Sequence, residues 1–275
     1  MRQPVTHGRR ADAGRVAARK PRVRRHQLLG THVDAFTLDE LLNWLDERVQ
    51  SKQKFVLAGH NVNSLTLLQR HDTFREFYAT ADGVFVDGMP VIAIAKLLGH
   101  PLLREHRVAV LDWVWPFAAQ AESAGWHVVH VGGSDEVNER AAAKLAARHP
   151  GLHLSAINGY FDSTAGSAES NHVVERLRAL APDVVLVGMG MPRQELWLSE
   201  NLDALPPAVY IAVGGIAGYL ADDRPTAPRW LGQLYLEWAY RIVTEPRRLW
   251  RRYLVEPFAL APALLRALIQ SRPKR

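Results

Sequence analysis

The sequence predicts an α/β protein: a doubly wound, mostly parallel sheet followed by a helical C-terminal appendage. Three observations carry that reading. Short apolar runs alternate with amphipathic stretches of helical spacing, the pattern of parallel βαβ units. Three of the runs end in glycine, at Gly132-Gly133, Gly188-Met189-Gly190 and Gly214-Gly215, as strand–helix turns of Rossmann-like sheets do. After Arg224 no further strand follows, and Trp, Tyr and Arg dominate instead. The chain therefore divides into a basic tail over 1–26, an α/β core over 27–223 and an Arg/Trp-rich appendage over 224–275.

The tail is rich in Arg, Ala and Gly without apolar periodicity, which predicts disorder. His32–Phe36 reads as an edge strand. Thr37 then opens a helix as N-cap, and Glu40 three residues on completes a capping box. Phe55–Gly59 is a buried strand followed by His60-Asn61, and the spacing of Leu65, Leu68, Phe74 and Phe77 fits a helix beyond it. Val84–Val86 is the next strand, and its helix stops at Gly99. A loop around Arg104–Arg107 leads to a helix from Leu111 to about Ala124. Strands at His127–Val131, Leu152–Ile157, Val184–Val187 and Val209–Val213 alternate with helices at Asp135–Arg148, about Ala168–Leu180 and from Pro192.

Composition narrows the function. The 275 residues contain no Cys, which excludes disulfides, thiolate metal sites and cysteine nucleophiles. A formal charge of +6 favours an anionic partner. No apolar run approaches the roughly 20 residues that span a bilayer, and no apolar core follows the basic N-terminus as in a secretory signal. The scattered histidines match no metal-binding spacing, and no G-x-S-x-G elbow occurs. After Gly188-x-Gly190 the third position of a dinucleotide fingerprint holds Arg193, which disfavours a nucleotide-dependent oxidoreductase.

The stretch Ala81–Pro90 organises the candidate site. A buried strand ends in Asp87-Gly88 and enters a helix at Met89-Pro90, which puts the Asp87 carboxylate where open α/β sheets bind ligands. Asp87 is equally suited to capping that helix. Gly132, Gly133 and Gly188 either expose backbone N–H groups to a phosphate or permit tight turns. Beyond Pro192, Gln194 can bond a sugar hydroxyl or nucleobase edge, whereas Glu195 also complements the helix dipole. In the appendage, Arg241, Arg248 and Arg251 recur at near-helical spacing among Trp and Tyr. That pattern suits phosphate recognition or an interfacial helix on an anionic membrane, and a solvated basic face is its bland alternative.

Taken together these motifs resemble the WecG/TagA/CpsF family of bacterial glycosyltransferases, from about Val33 to Leu254. The resemblance rests on Asn61, Ala81-Asp82 with Asp87-Gly88, Arg107-Val108, Val131-Gly132-Gly133, Gly159-Tyr160-Phe161 and Gly188-x-Gly190-x-Pro192-Arg193-Gln194-Glu195. It continues through Ala227-Pro228-Arg229-Trp230, Leu236-Glu237-Trp238, Tyr240-Arg241, Glu245-Pro246-x-Arg248 and Arg251-Arg252-Tyr253. It departs at Gly59, where Thr is common, at Ala217-Gly218 in place of Phe-Asp, and at Thr226 in place of Arg.

The resemblance implies inverting transfer of a sugar from a UDP-sugar to a polyprenyl-diphosphate-linked acceptor, without metal or other cofactor, in surface-polysaccharide or cell-wall polymer synthesis. Asp87 would be the general base, and Arg241, Arg248 and Arg251 would neutralise the diphosphate. Asn61, Arg107, Gly132, Gly133, Tyr160, Gly188, Gln194 and Glu195 would line the substrate site. The appendage would dock the enzyme on the anionic inner face of the cell membrane, from the cytoplasm, and close over the site. Nucleic acid is not expected as a partner, and a homo-oligomer is compatible with the pattern. The rival reading is a catalytically silent membrane-binding scaffold that retains the fold.

Overall fold

The computed structural model describes residues 23–224, 231, 237–247, 250 and 254–270. Its centre is a six-stranded sheet in the order β4-β3-β8-β7-β5-β6, with parallel pairing throughout. The strands are β3 (Phe55–His60), β4 (Gly83–Val86), β5 (His127–Gly132), β6 (His153–Ile157), β7 (Val184–Gly188) and β8 (Val209–Ala212). The chain builds β3 and β4 at one edge, crosses to β5 and β6 at the other, and fills the middle with β7 and β8.

Alternation along these strands feeds two cores. Leu57, Phe85, Val128 and Ile211 face one way. They pack under α1 (Leu38–Gln50), α5 (Val110–Ala124), α6 (Asp135–Arg148) and α9 (Ile216–Leu220). Ala58, Val84, Val129 and Tyr210 face the other, under α3 (Asp72–Thr80), α7 (Ala168–Leu180) and α8 (Arg193–Asn201). Trp113 and Trp197, one in each layer, are fully buried, and truncating either to Ala would cost about 3–5 kcal/mol. The capping box at Thr37 and Glu40 forms as expected, with Thr37 Oγ1 accepting from Glu40 N and Glu40 Oε2 from Thr37 N.

Two features differ from the sequence reading. The strand expected at His32–Phe36 lies outside the main sheet: β2 (Thr31–Asp34) pairs antiparallel with β1 (Arg25–Leu28). Arg25 and His26, read as tail, are therefore structured. Arg25 grips both oxygens of Asp34 at 2.8 and 2.9 Å, and Asp34 Oδ2 also accepts from Val84 N at 2.9 Å. The hairpin is thus fastened to β4. The pattern across Leu65–Phe77 also splits, into α2 (Val62–Leu68) and α3, because the chain turns at Gln69–His71.

A third apolar cluster joins the hairpin, α2 and α4 (Met89–Leu97) through Leu28, Val33, Leu65, Val91 and Ile92. Leu260 is buried in it, and Ala263, Leu264 and Ala267 of the helix Ala261–Gln270 pack against it. The end of the appendage therefore returns to the core beside the hairpin. The tail over 1–22 lies outside the described residues.

Candidate active site

Asp87 stands at the C-terminal end of β4, half-buried, and it does not cap the helix that follows. Gly88 is the N-cap of α4, without a side-chain cap bond. Instead Asp87 Oδ1 accepts from Val110 N, the first residue of α5, at 3.3 Å, and Oδ2 accepts from Asn61 Nδ2 at 3.2 Å. Each carboxylate oxygen keeps a lone pair for a further proton or donor.

Asn61 is itself fixed from behind. Its Oδ1 caps α2 by accepting from Ser64 N at 3.1 Å, and its N–H donates to Ser64 Oγ at 2.9 Å. The Ser64 hydroxyl donates to Asn61 O at 2.8 Å, so its single proton is used there. His60 Nδ1, 2.9 Å from Ser64 Oγ, must then be the donor, and Nε2 accepts from Thr31 Oγ1 at 3.0 Å. Burial, with a smaller contribution from His32, lowers His60 to about 3, so the imidazole stays neutral. It stacks on Tyr78, ring centroids 4.0 Å apart. A polar chain thus runs from the hairpin through His60 and Ser64 to Asn61 and Asp87.

The glycine turns are scaffold first. A Cβ on Gly132 would lie 2.6 Å from Gly188 O, and one on Gly159 would lie 2.5 Å from Gly132 Cα. A Cβ on Gly188 would overlap His130 Nε2 and meet Gly214 O at 2.8 Å. Gly133 differs: its φ of +61° is a left-handed conformation that glycine adopts without penalty. Gln194 is fully buried, and its Oε1 accepts from Gly190 N and Gly214 N, both at 3.1 Å. Its Nε2 donates to the equally buried Glu195 at 2.8 Å. Where the sequence reading turned these two side chains toward a ligand, the structure turns them inward, because the N–H groups after β7 and β8 need an acceptor there.

The sequence profile described as the glycosyl transferase WecG/TagA/CpsF family matches residues 26–274. The chain belongs to that family. It is 26% identical over 224 residues to the N-acetylglucosaminyldiphosphoundecaprenol N-acetyl-beta-D-mannosaminyltransferase of Bacillus spizizenii, covering 82% of this chain and 84% of that one. The protein of the same description from Staphylococcus aureus is 27% identical over 202 residues, covering 74% and 77%. As a WecG/TagA/CpsF protein the chain is a glycosyltransferase, and the matched segment takes in the hairpin from His26 onward and the helix Ala261–Gln270.

On this glycosyltransferase the remaining expected residues are dispersed. Arg107 bridges to Val86 beside Asp87 and pairs with Asp112 at 2.8 Å. Tyr160 is 77% exposed and, alone among the expected residues, lines a cavity of about 320 Å³ with Asn158, Phe161, His172 and Arg176. That cavity sits at the end of β6, at the opposite edge of the sheet from β4 and Asp87, with four strands between them. Arg241 falls in the helix Glu237–Thr244, whereas Arg248 and Arg251 lie outside the described residues. Among the described residues no group of three or more His, Asp or Glu could hold a metal ion, and no helix is long and apolar enough to cross a membrane.

Two departures from the WecG/TagA/CpsF pattern have a physical reason. A Cβ on Gly59 would lie 2.5 Å from the Phe85 ring, so that site is a packing exchange inside the sheet. Gly218 leaves the space that the Arg224 side chain enters. Thr226 lies outside the described residues.

Sequence reasoning missed Arg193, Ser64 and His60 as parts of this frame. Arg193 Nε donates to Ser163 Oγ at 2.9 Å and Nη1 to Gly159 O at 2.7 Å, with Nη2 on Phe161 O, which pins the loop after β6. The signal for Ser64 was present: Asn61-x-x-Ser64 has capping-box spacing.

Proposed function

We propose that this glycosyltransferase moves a sugar, with inversion, from a UDP-sugar to a polyprenyl-diphosphate-linked acceptor in surface-polysaccharide or cell-wall polymer synthesis. The observation that carries it is the Asp87 carboxylate, fixed at a strand end by Asn61 and Val110 N with lone pairs to spare. Asp87 takes the proton of the acceptor hydroxyl as its oxygen attacks the anomeric carbon. The bond from that carbon to the UDP oxygen breaks on the opposite face, and the proton on Asp87 later passes to water.

UDP leaves with its diphosphate charge neutralised by Arg241, Arg248 and Arg251, the stabilisation such a leaving group requires. This reading assigns that charge to guanidiniums, with no metal or other cofactor. Gly133 and Gly190 border the donor pocket, and Gln194 and Glu195 brace it. The names of both relatives support the lipid-diphosphate acceptor, since each contains a diphosphoundecaprenol-linked N-acetylglucosamine.

The reading also puts the protein on the inner face of the membrane. Its support is the apolar surface of the appendage: Val243, Trp250, Phe258, Leu265 and Ile269 are each at least half exposed, next to basic residues suited to anionic lipid. Incubation with a panel of UDP-sugars and a polyprenyl-diphosphate-linked acceptor tests the assignment. Acceptor-dependent UDP release with one donor supports it and names that donor. No release from any donor together with no UDP binding would favour the silent scaffold.

A further inference from the structure

Arg224, the first residue of the appendage, lays its side chain across the glycines that follow β8. A Cβ on Gly215 would overlap Arg224 Nη1, and one on Gly218 would lie 3.1 Å from Nε. Gly215 must be glycine for the arginine to take this pose, and Gly218 leaves it room. The turn that delivers it is tied to the same glycine: Asp223 N and Arg224 N donate to Gly218 O at 2.9 and 3.1 Å. The Tyr219 ring lies 5.8 Å from the guanidinium carbon.

The nearest acidic residues in sequence are engaged elsewhere. Lys144 binds Asp222 at 2.6 Å, and Arg140 binds Asp223 at 2.6 Å. Among the described residues no side chain accepts a hydrogen bond from the guanidinium and no carboxylate pairs with it. The residue is nevertheless half-buried. Partly desolvating a charge is unfavourable unless an opposite charge completes it. A guanidinium presents planar paired donors that match the oxygens of a phosphate or carboxylate. Its position fits a ligand: β8 lies beside β3, the strand that leads to Asn61, so Gly215 and Asn61 follow neighbouring strands.

We propose that Arg224 is a donor-binding residue that takes an oxyanion of the nucleotide sugar, either its diphosphate or the carboxylate of an acidic sugar. This rests on the UDP-sugar reading above. The test is titration calorimetry of the full chain with uridine, UDP, UDP-glucose and UDP-glucuronate, using wild type, Arg224→Gln and Gly215→Ala. The second variant displaces the guanidinium without removing it.

A loss of about tenfold or more in UDP affinity in both variants, with uridine unchanged, assigns the diphosphate. Unchanged UDP and UDP-glucose with a comparable loss for UDP-glucuronate assigns the sugar carboxylate. Unchanged affinities throughout overturn the proposal, as would equal losses for UDP and uridine, which mark a structural role. A wild-type chain that binds none of the four ligands would overturn the UDP-sugar reading itself, and this proposal with it.

Discussion

The Asn61 side-chain amide donates to Asp87 Oδ2 across 3.2 Å, joining the ends of two adjacent strands. The same asparagine caps α2 through its other amide atom, which accepts from Ser64 N at 3.1 Å. Amide orientation is therefore set by the helix start, and carboxylate orientation follows from it.

Asn61→Ala removes both bonds. Loss of the cap should cost about 1 kcal/mol, and an unanchored Asp87 should lower kcat by about tenfold while UDP affinity changes little. Asn61→Asp restores the cap but sets a second carboxylate against Asp87. It should recover stability and lose more activity than Asn61→Ala. Urea unfolding alongside initial rates reads both effects, and wild-type rates in Asn61→Ala would contradict the anchoring role.

Stability should depend on His60 and His130, two of the buried histidines. Burial lowers His60 to about 3 and, against the smaller opposing effect of Asn138, His130 to about 4. In the unfolded chain both titrate near 6.5. Between that pH and their folded values the unfolded state binds more protons, so stability is lost as pH falls. The slope approaches about 1.4 kcal/mol per pH unit for each histidine. Thermal melts from pH 6.5 to 5 should show a falling Tm, and His60→Gln should flatten the trend. A pH-independent Tm over that window would contradict neutral, buried imidazoles.

Glycine contacts at the strand ends predict unequal costs. Gly188→Ala drives a methyl group into His130 and to 2.8 Å from Gly214 O, and should destabilise by about 1–3 kcal/mol. Gly190→Ala meets nothing within 4 Å and strains only its φ of +86°, for about 1 kcal/mol. Denaturant midpoints would rank the two, and a Gly188→Ala protein as stable as wild type would contradict the packing described.

The helix Ala261–Gln270 offers a surface test of membrane docking. Leu264 and Ala267 pack inward, whereas Leu265, Ile269 and, in the turn Glu256–Leu260 just before the helix, Phe258 are exposed. Changing these three to Ser should release the protein from phosphatidylglycerol vesicles in co-sedimentation while leaving Tm nearly unchanged. Undiminished sedimentation would contradict docking through this face. Deleting the helix is a poorer test, because it would uncover the cluster around Leu28, Val33 and Val91.

Much of this was legible in the chain because periodicity is local. The six sheet strands, the Thr37–Glu40 capping box and the placement of Asp87 at a strand end follow from residues close in sequence. What was not legible depends on distant partners. The hairpin strand Arg25–Leu28 is held by Asp34 and, through it, by Val84, so its basic composition alone reads as tail. Gln194 and Arg193 carry polar groups equally suited to ligand or backbone. Only the fold shows that Gly190, Gly214 and the loop at Gly159–Phe161 take their hydrogen bonds. His60 follows an apolar run, and its role appears only once Thr31 and Ser64 are placed against it.

The proposed mechanism has Asp87 deprotonate the acceptor. Acceptor-dependent UDP release by wild type and Asp87→Asn, with UDP affinity measured on both, tests it most directly. The variant should bind UDP as wild type does and lose at least about a hundredfold in kcat. Wild-type turnover by Asp87→Asn would contradict it.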